Sequence, residues 1–214
     1  MISSVSGNKI EYDIRAYRYH RKTPKDKSEA PLKAKVITGS VAGTVLPMMF
    51  LAKKQNAKLL NIKYGIKELL LLSTCGIIGG TAAGMLAEKE HSKQKLNEGI
   101  FQFMNAAVPT VICGGVLKLG DKFKKLDNLP FKIGGTIVGL VAGMHIAAAM
   151  SNKINDPQDK VPDRKLTIKD SIANIDDAIG VLVLAKVPIV EKLHIEKILP
   201  VIFSWCGYRA GMSN

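Results

Sequence analysis

Four stretches of this chain carry no Asp, Glu, Lys or Arg: Val36–Ala52, Leu69–Ala87, Gly99–Leu117 and Ile133–Asn152. All 31 Lys and Arg and all 18 Asp and Glu therefore lie outside them. A helix rises 1.5 Å per residue, so windows of this length match the ~30 Å hydrocarbon core of a bilayer. A helix on the surface of a soluble domain keeps a charged wet face, and none of these windows has one. The pattern predicts an all-α polytopic membrane bundle of four spans rather than a soluble domain.

The spans are rich in glycine at regular intervals. Gly76, Gly80 and Gly84 recur every fourth residue in the second window, and Gly135, Gly139 and Gly143 do so in the fourth. The first window contributes Gly39-x-x-x-Gly43. Glycine weakens a helix in water by about 1 kcal/mol relative to alanine, but in lipid it lets helix backbones touch. These eight glycines are the expected helix-packing residues. Gly79 points ~100° away from Gly80 round the helix; a larger side chain there should cost less than at Gly80 if Gly79 faces lipid, unless it meets a third helix of its own.

The text also repeats. Ile78-Gly-Gly-Thr-x-x-Gly-x-x-Ala87 recurs as Ile133-Gly-Gly-Thr-x-x-Gly-x-x-Ala142, and each copy follows a proline-bearing window, with Pro47 and Pro109. Residues 36–87 and 99–152 thus read either as a two-fold repeat of helix pairs, a common plan in membrane transport folds, or as coincidence in a Gly/Ala/Thr vocabulary.

Outside the spans the chain divides into a basic juxtamembrane tail (1–35), a polar proline-marked linker (153–165) and a C-terminal part (166–214). In the last, Ile168, Ile172, Ile175, Ile179 and Leu182 mark an amphipathic stripe. The final apolar run, Ile198–Tyr208, is short for a span and suits a re-entrant or interfacial hairpin, although two further tilted passes are compatible with the pattern. The tail holds Arg15, Arg18, Arg21 and Lys22 among Tyr12, Tyr17 and Tyr19 and lacks a secretory apolar core. The formal net charge of +13 sits beside apolar spans, which points to anionic lipid headgroups at the tail and loops rather than to nucleic acid. With four spans, and counting as far as residue 169, Lys and Arg number 17 on the side of the N-terminal tail against 10 on the other, so the positive-inside rule predicts a cytoplasmic N terminus.

Little in the sequence calls for chemistry. His145 is the one His, Asp, Glu, Lys or Arg within the four windows, and intramembrane ionisable residues mark pathways when they mark anything. Glu191-x-x-His194 has the one-face spacing of a di-iron ligand pair, but the further inward carboxylates such a site needs are missing from the spans. Cys75, Cys113 and Cys206 are widely spaced within apolar stretches and read as small fillers. No phosphate-cradling loop is present. No metal and no cofactor are expected. The leading expectation is a non-enzymatic structural or assembly component that packs through its glycine faces, alone, as a homo-oligomer or with another membrane protein. The competing one is a small-solute or ion conduit with Pro47, Pro109 and His145 along its path.

Overall fold

Each charge-free window becomes part of a longer helix. The computed structural model describes residues 29–123, 128–160, 162–163 and 195–214. Its helices are α1 (Glu29–Lys54), α2 (Ile66–Ala87), α3 (Ser92–Lys122), α4 (Leu129–Asn155) and the shorter α5 (Leu199–Gly211). Among the described residues every regular element is helical, and α1 to α4 are long and apolar enough to cross a membrane. The fold is all-α and, by composition, that of a multi-pass membrane protein. The helix contacts below belong to the unit Leu32–Asn214; of the other unit, Met1–Pro31, only Glu29–Pro31 at the start of α1 are described. The amphipathic stripe at 168–182 and the Glu191/His194 pair lie outside the described residues.

Local chemistry sets the helix ends. The Asn128 side chain accepts from Phe131 N at 2.9 Å and Pro130 follows in the first turn, which together open α4. Glu68 reaches back to Gly65 N at 3.0 Å at the start of α2. Between α1 and α2 the chain is pinned by one amide. Gln55 Nε2 donates to Lys63 O at 2.9 Å while its Oε1 accepts from Lys63 N at 2.8 Å. Asn56 takes the left-handed conformation there (φ 52°), which asparagine tolerates better than most residues.

The glycine contacts fix the helix directions. Gly39 meets Gly79 and Ala83, and Gly43 meets Cys75, so α1 and α2 are antiparallel. Gly99 meets Thr81 and Gly114 meets Ile66, setting α3 antiparallel to α2. Gly135, Gly139 and Gly143 meet Val116, Cys113 and Pro109, setting α4 antiparallel to α3. By contrast α5 runs parallel to α2, with Gly76, Gly80 and Gly84 against Phe203, Gly207 and Gly211. One end of the bundle therefore gathers the C-terminal ends of α2, α4 and α5 with the N-terminal end of α3. We call it the tail end. The loop end gathers the end of α1, the connection 55–65, the start of α2, the end of α3 and the starts of α4 and α5.

Apolar packing follows the same frame. Met48, Leu51, Ile62, Leu69, Leu72, Leu199 and Phe203 form a buried cluster toward the loop end, with Tyr64 against it. Ile77, Cys206 and Ala210 form a second cluster with Phe103. The outward faces stay apolar: Leu46 is 65 % exposed, Val138 68 % and Val201 69 %. Water penalises an apolar surface of that extent, and lipid does not.

Candidate functional site: the glycine seam of the second helix

Helix α2 is glycine-lined on two faces, and each face is occupied. On one, Gly79 and Ala83 lie against Gly39 while Cys75 and Gly79 lie against Gly43. A Cβ built on Gly79 would strike the Gly39 carbonyl and come within 3.1 Å of Gly43 Cα. On the other, a Cβ on Gly80 would strike the backbone of Gly207, and one on Gly84 that of Gly211. At Gly76 the neighbours are Thr44 Oγ1 at 2.8 Å and Phe203 O at 2.9 Å. Backbone blocks backbone on both sides, so only glycine fits.

The eight glycines singled out from the sequence all sit at helix contacts in this chain. Of the two alternatives for Gly79, its geometry is that of a glycine meeting another helix, because its face is covered by α1. Two further glycines, Gly207 and Gly211, complete the seam and were not singled out. Their signal was present, since Gly207-x-x-x-Gly211 repeats the spacing of Gly39 and Gly43. The apolar run as delimited stops at Tyr208, before the second member.

Three hydroxyls in the seam donate to backbone carbonyls. Ser40 Oγ donates to the Ser204 carbonyl, joining α1 to α5 directly. Thr44 Oγ1 donates to Ser40 O at 3.1 Å, and Ser204 Oγ to Pro200 O at 2.9 Å. Such bonds return hydroxyls to carbonyls where no water reaches.

The three residues proposed for a conduit are not assembled around a common path. Pro47 is buried within α1. Pro109 is buried in α3 and packs on Gly143 of α4. His145, two residues further along α4, is exposed on the outer surface. It faces a different direction from Gly135, Gly139 and Gly143, as its angular position predicts, and that direction is outward.

A polar cluster closes the tail end of the seam. Lys95, 0 % exposed, donates to Ser213 O at 2.8 Å and to Asn214 Oδ1 at 3.2 Å. It also pairs with Glu88 Oε2 at 2.8 Å, and Glu88 meets His91 Nδ1 at 3.2 Å. A buried ammonium is costly unless paired and hydrogen-bonded; here it has both. Burial raises the Glu88 carboxyl, but the hydrogen bonds and charges of Lys95 and His91 together outweigh it and hold Glu88 below its usual value. The cluster ties the end of α5 to the α2–α3 turn. Nearby, Asn155 Nδ2 donates to Asn97 O at 3.1 Å and ties α4 to α3. At the loop end, burial and then the charge of Glu196, just before α5, push the Tyr64 phenol up to about 12.

No protein-family model, curated protein or solved structure matches the chain.

Proposed function

We propose that this protein is a non-enzymatic structural or assembly component of a membrane, a compact bundle whose glycine faces serve its own packing. The observation that carries the reading is the double occupancy of α2. Backbone meets backbone on the α1 side and on the α5 side, which leaves no room for a solute along either contact. The conduit reading draws on the proline-bearing helix pairs, but Pro47 and Pro109 are packed and His145 faces outward. With the count of basic residues favouring the tail end, the N terminus is assigned to the cytoplasm.

Purified protein reconstituted into liposomes separates the two readings. Release of an entrapped dye and decay of a potassium gradient should match protein-free liposomes. Flux that scales with the protein content and is lost on substitution of Gly80 or Pro109 would replace the structural reading with a conduit.

A further inference from the structure

We infer that the loop end of the bundle is a docking surface for anionic lipid headgroups, with the connection 55–65 as its centre. Four separate pieces of chain deliver lysine to this one end. Lys53 and Lys54 close α1, Lys58 and Lys63 lie in the connection, and Lys67 opens α2. Lys118 and Lys122 end α3, while Lys132 and Lys197 stand near the starts of α4 and α5. All are exposed except Lys132, which is half-buried. Among the described residues at this end the acids are Glu68, Asp121 and Glu196. Glu68 is committed to Gly65 N, and Asp121 lies 4.0 Å from Lys132. At the tail end the described basic residues are nearly balanced by Glu88, Glu90, Glu98, Asp156, Asp159 and Asp163.

Topogenesis counts Lys and Arg and takes little account of acids. A headgroup layer feels net charge, so the tail end can win the first count while the loop end holds the more positive described surface.

The lysines are joined by apolar side chains that point outward. Leu59 is 38 % exposed and Leu60 58 %, flanked by Lys58 and Lys63, while their neighbour Ile62 is buried at 2 %. The connection is held in shape by the two Gln55–Lys63 bonds and by Asn61 N donating to Lys58 O at 2.8 Å. Phe123, 53 % exposed, caps the end of α3 at this same end of the bundle. Apolar tips set among cations suit the boundary between acyl chains and headgroups. Lysine stems lie along the apolar surface while the ammonium reaches a phosphate. This rests on the four membrane-crossing helices and is independent of whether the bundle is a scaffold or a conduit.

The test is native mass spectrometry of the delipidated full chain, titrated with phosphatidylglycerol and, separately, phosphatidylcholine. Wild type should retain phosphatidylglycerol preferentially. The triple variant Lys58→Gln/Lys63→Gln/Lys67→Gln should lose at least about tenfold of that preference, given what each cation contributes near an anionic surface. The matched variant Lys89→Gln/Lys93→Gln/Lys160→Gln at the tail end should keep it. Leu59→Ser/Leu60→Ser should weaken retention of both lipids and leave their ratio unchanged. Circular dichroism and gel filtration of each variant establish that the bundle is intact. Equal retention of both lipids by wild type, or an equal loss in the two triple variants, would overturn the inference. So would binding of an acidic polypeptide at the loop end that phosphatidylglycerol fails to displace.

Discussion

The pairs α1–α2 and α3–α4 share a ten-residue pattern, yet they use it differently. In α4 the glycines of the pattern, with Gly143 beyond it, face the hairpin partner: Gly135, Gly139 and Gly143 lie on Val116, Cys113 and Pro109 of α3. In α2 the corresponding Gly80 and Gly84 face α5 instead, and the hairpin partner α1 is met by Gly79. The match at the next position is sharper still. Gly79 is closed by the backbone of Gly39, whereas a Cβ on its counterpart Gly134 meets nothing within 4 Å. The difference is in the number of neighbours. Among the described residues α2 packs against three glycine-bearing helices, α1, α3 and α5, whereas the glycines of α4 meet α3 alone, and 44 % of the α2 span is buried against 28 % of α4. A glycine pattern thus states that backbones can approach; what approaches is set by the rest of the bundle.

The strongest way to break this comparison is to fill the doubly occupied helix. Gly80→Leu puts a branched side chain into the Gly207 backbone. Overpacking costs ~1–3 kcal/mol where neighbours can yield and more where they cannot, so little folded monomer should survive size-exclusion chromatography in detergent. Recovery at wild-type levels would remove the seam between α2 and α5. Next comes the polar tie at the tail end. Lys95→Met leaves Glu88 and the Ser213 carbonyl without their cation, and should cost about 1–3 kcal/mol in thermal melts. That is below the ~3–5 of a fully buried pair, because Glu88 remains 29 % exposed. Labelling of Cys206, buried in wild type, should rise with it in a variant lacking the other two cysteines.

A smaller effect sharpens the contrast. Gly135→Leu meets a Val116 methyl at 2.6 Å and no backbone of a neighbouring helix within 4 Å, so its cost should be nearer ~1 kcal/mol and well below that of Gly79→Leu. The smallest effect is in acid. Glu88 is held below its usual value in the fold, so its contribution is complete above the ordinary carboxylate pKa of ~4.3 and is lost as pH falls through the folded value. Melting temperature should therefore decline in that acid range, and Glu88→Gln should flatten the decline.

Much of this architecture was legible in the sequence, and the reasons differ by region. The four windows located α1 to α4 because lipid forbids charge along a span. The helices outrun the windows, from 99–117 to Ser92–Lys122 in α3 for example, since charged residues at the ends reach the headgroup layer. The glycine faces were legible because a four-residue spacing puts residues on one side of a helix whatever lies opposite. Which helix lies opposite was not legible, and Gly79 shows the consequence. Nor was Lys95: a lysine three residues past a helix start reads as solvated until the end of α5 is brought over it. The parallel course of α5 likewise follows from contacts far apart in the chain, such as Gly80 with Gly207. His145 was a candidate because of its company in sequence, and only the fold turns it outward.

One paired measurement goes to the centre of the account: Gly79→Ala and Gly134→Ala, the same position in the two copies of the repeated text, compared by thermal unfolding in one detergent. Alanine favours a helix by about 1 kcal/mol over glycine, so with equal surroundings the two should behave alike. With Gly79 closed by the Gly39 carbonyl and Gly134 open, Gly79→Ala should lower the melting temperature by at least about 3 °C, on the scale of ~2–4 °C per kcal/mol for a chain of this size. Gly134→Ala should leave it unchanged or raise it. Equal shifts for the two variants, or a loss confined to Gly134→Ala, would contradict the clasping of α2 between α1 and α5.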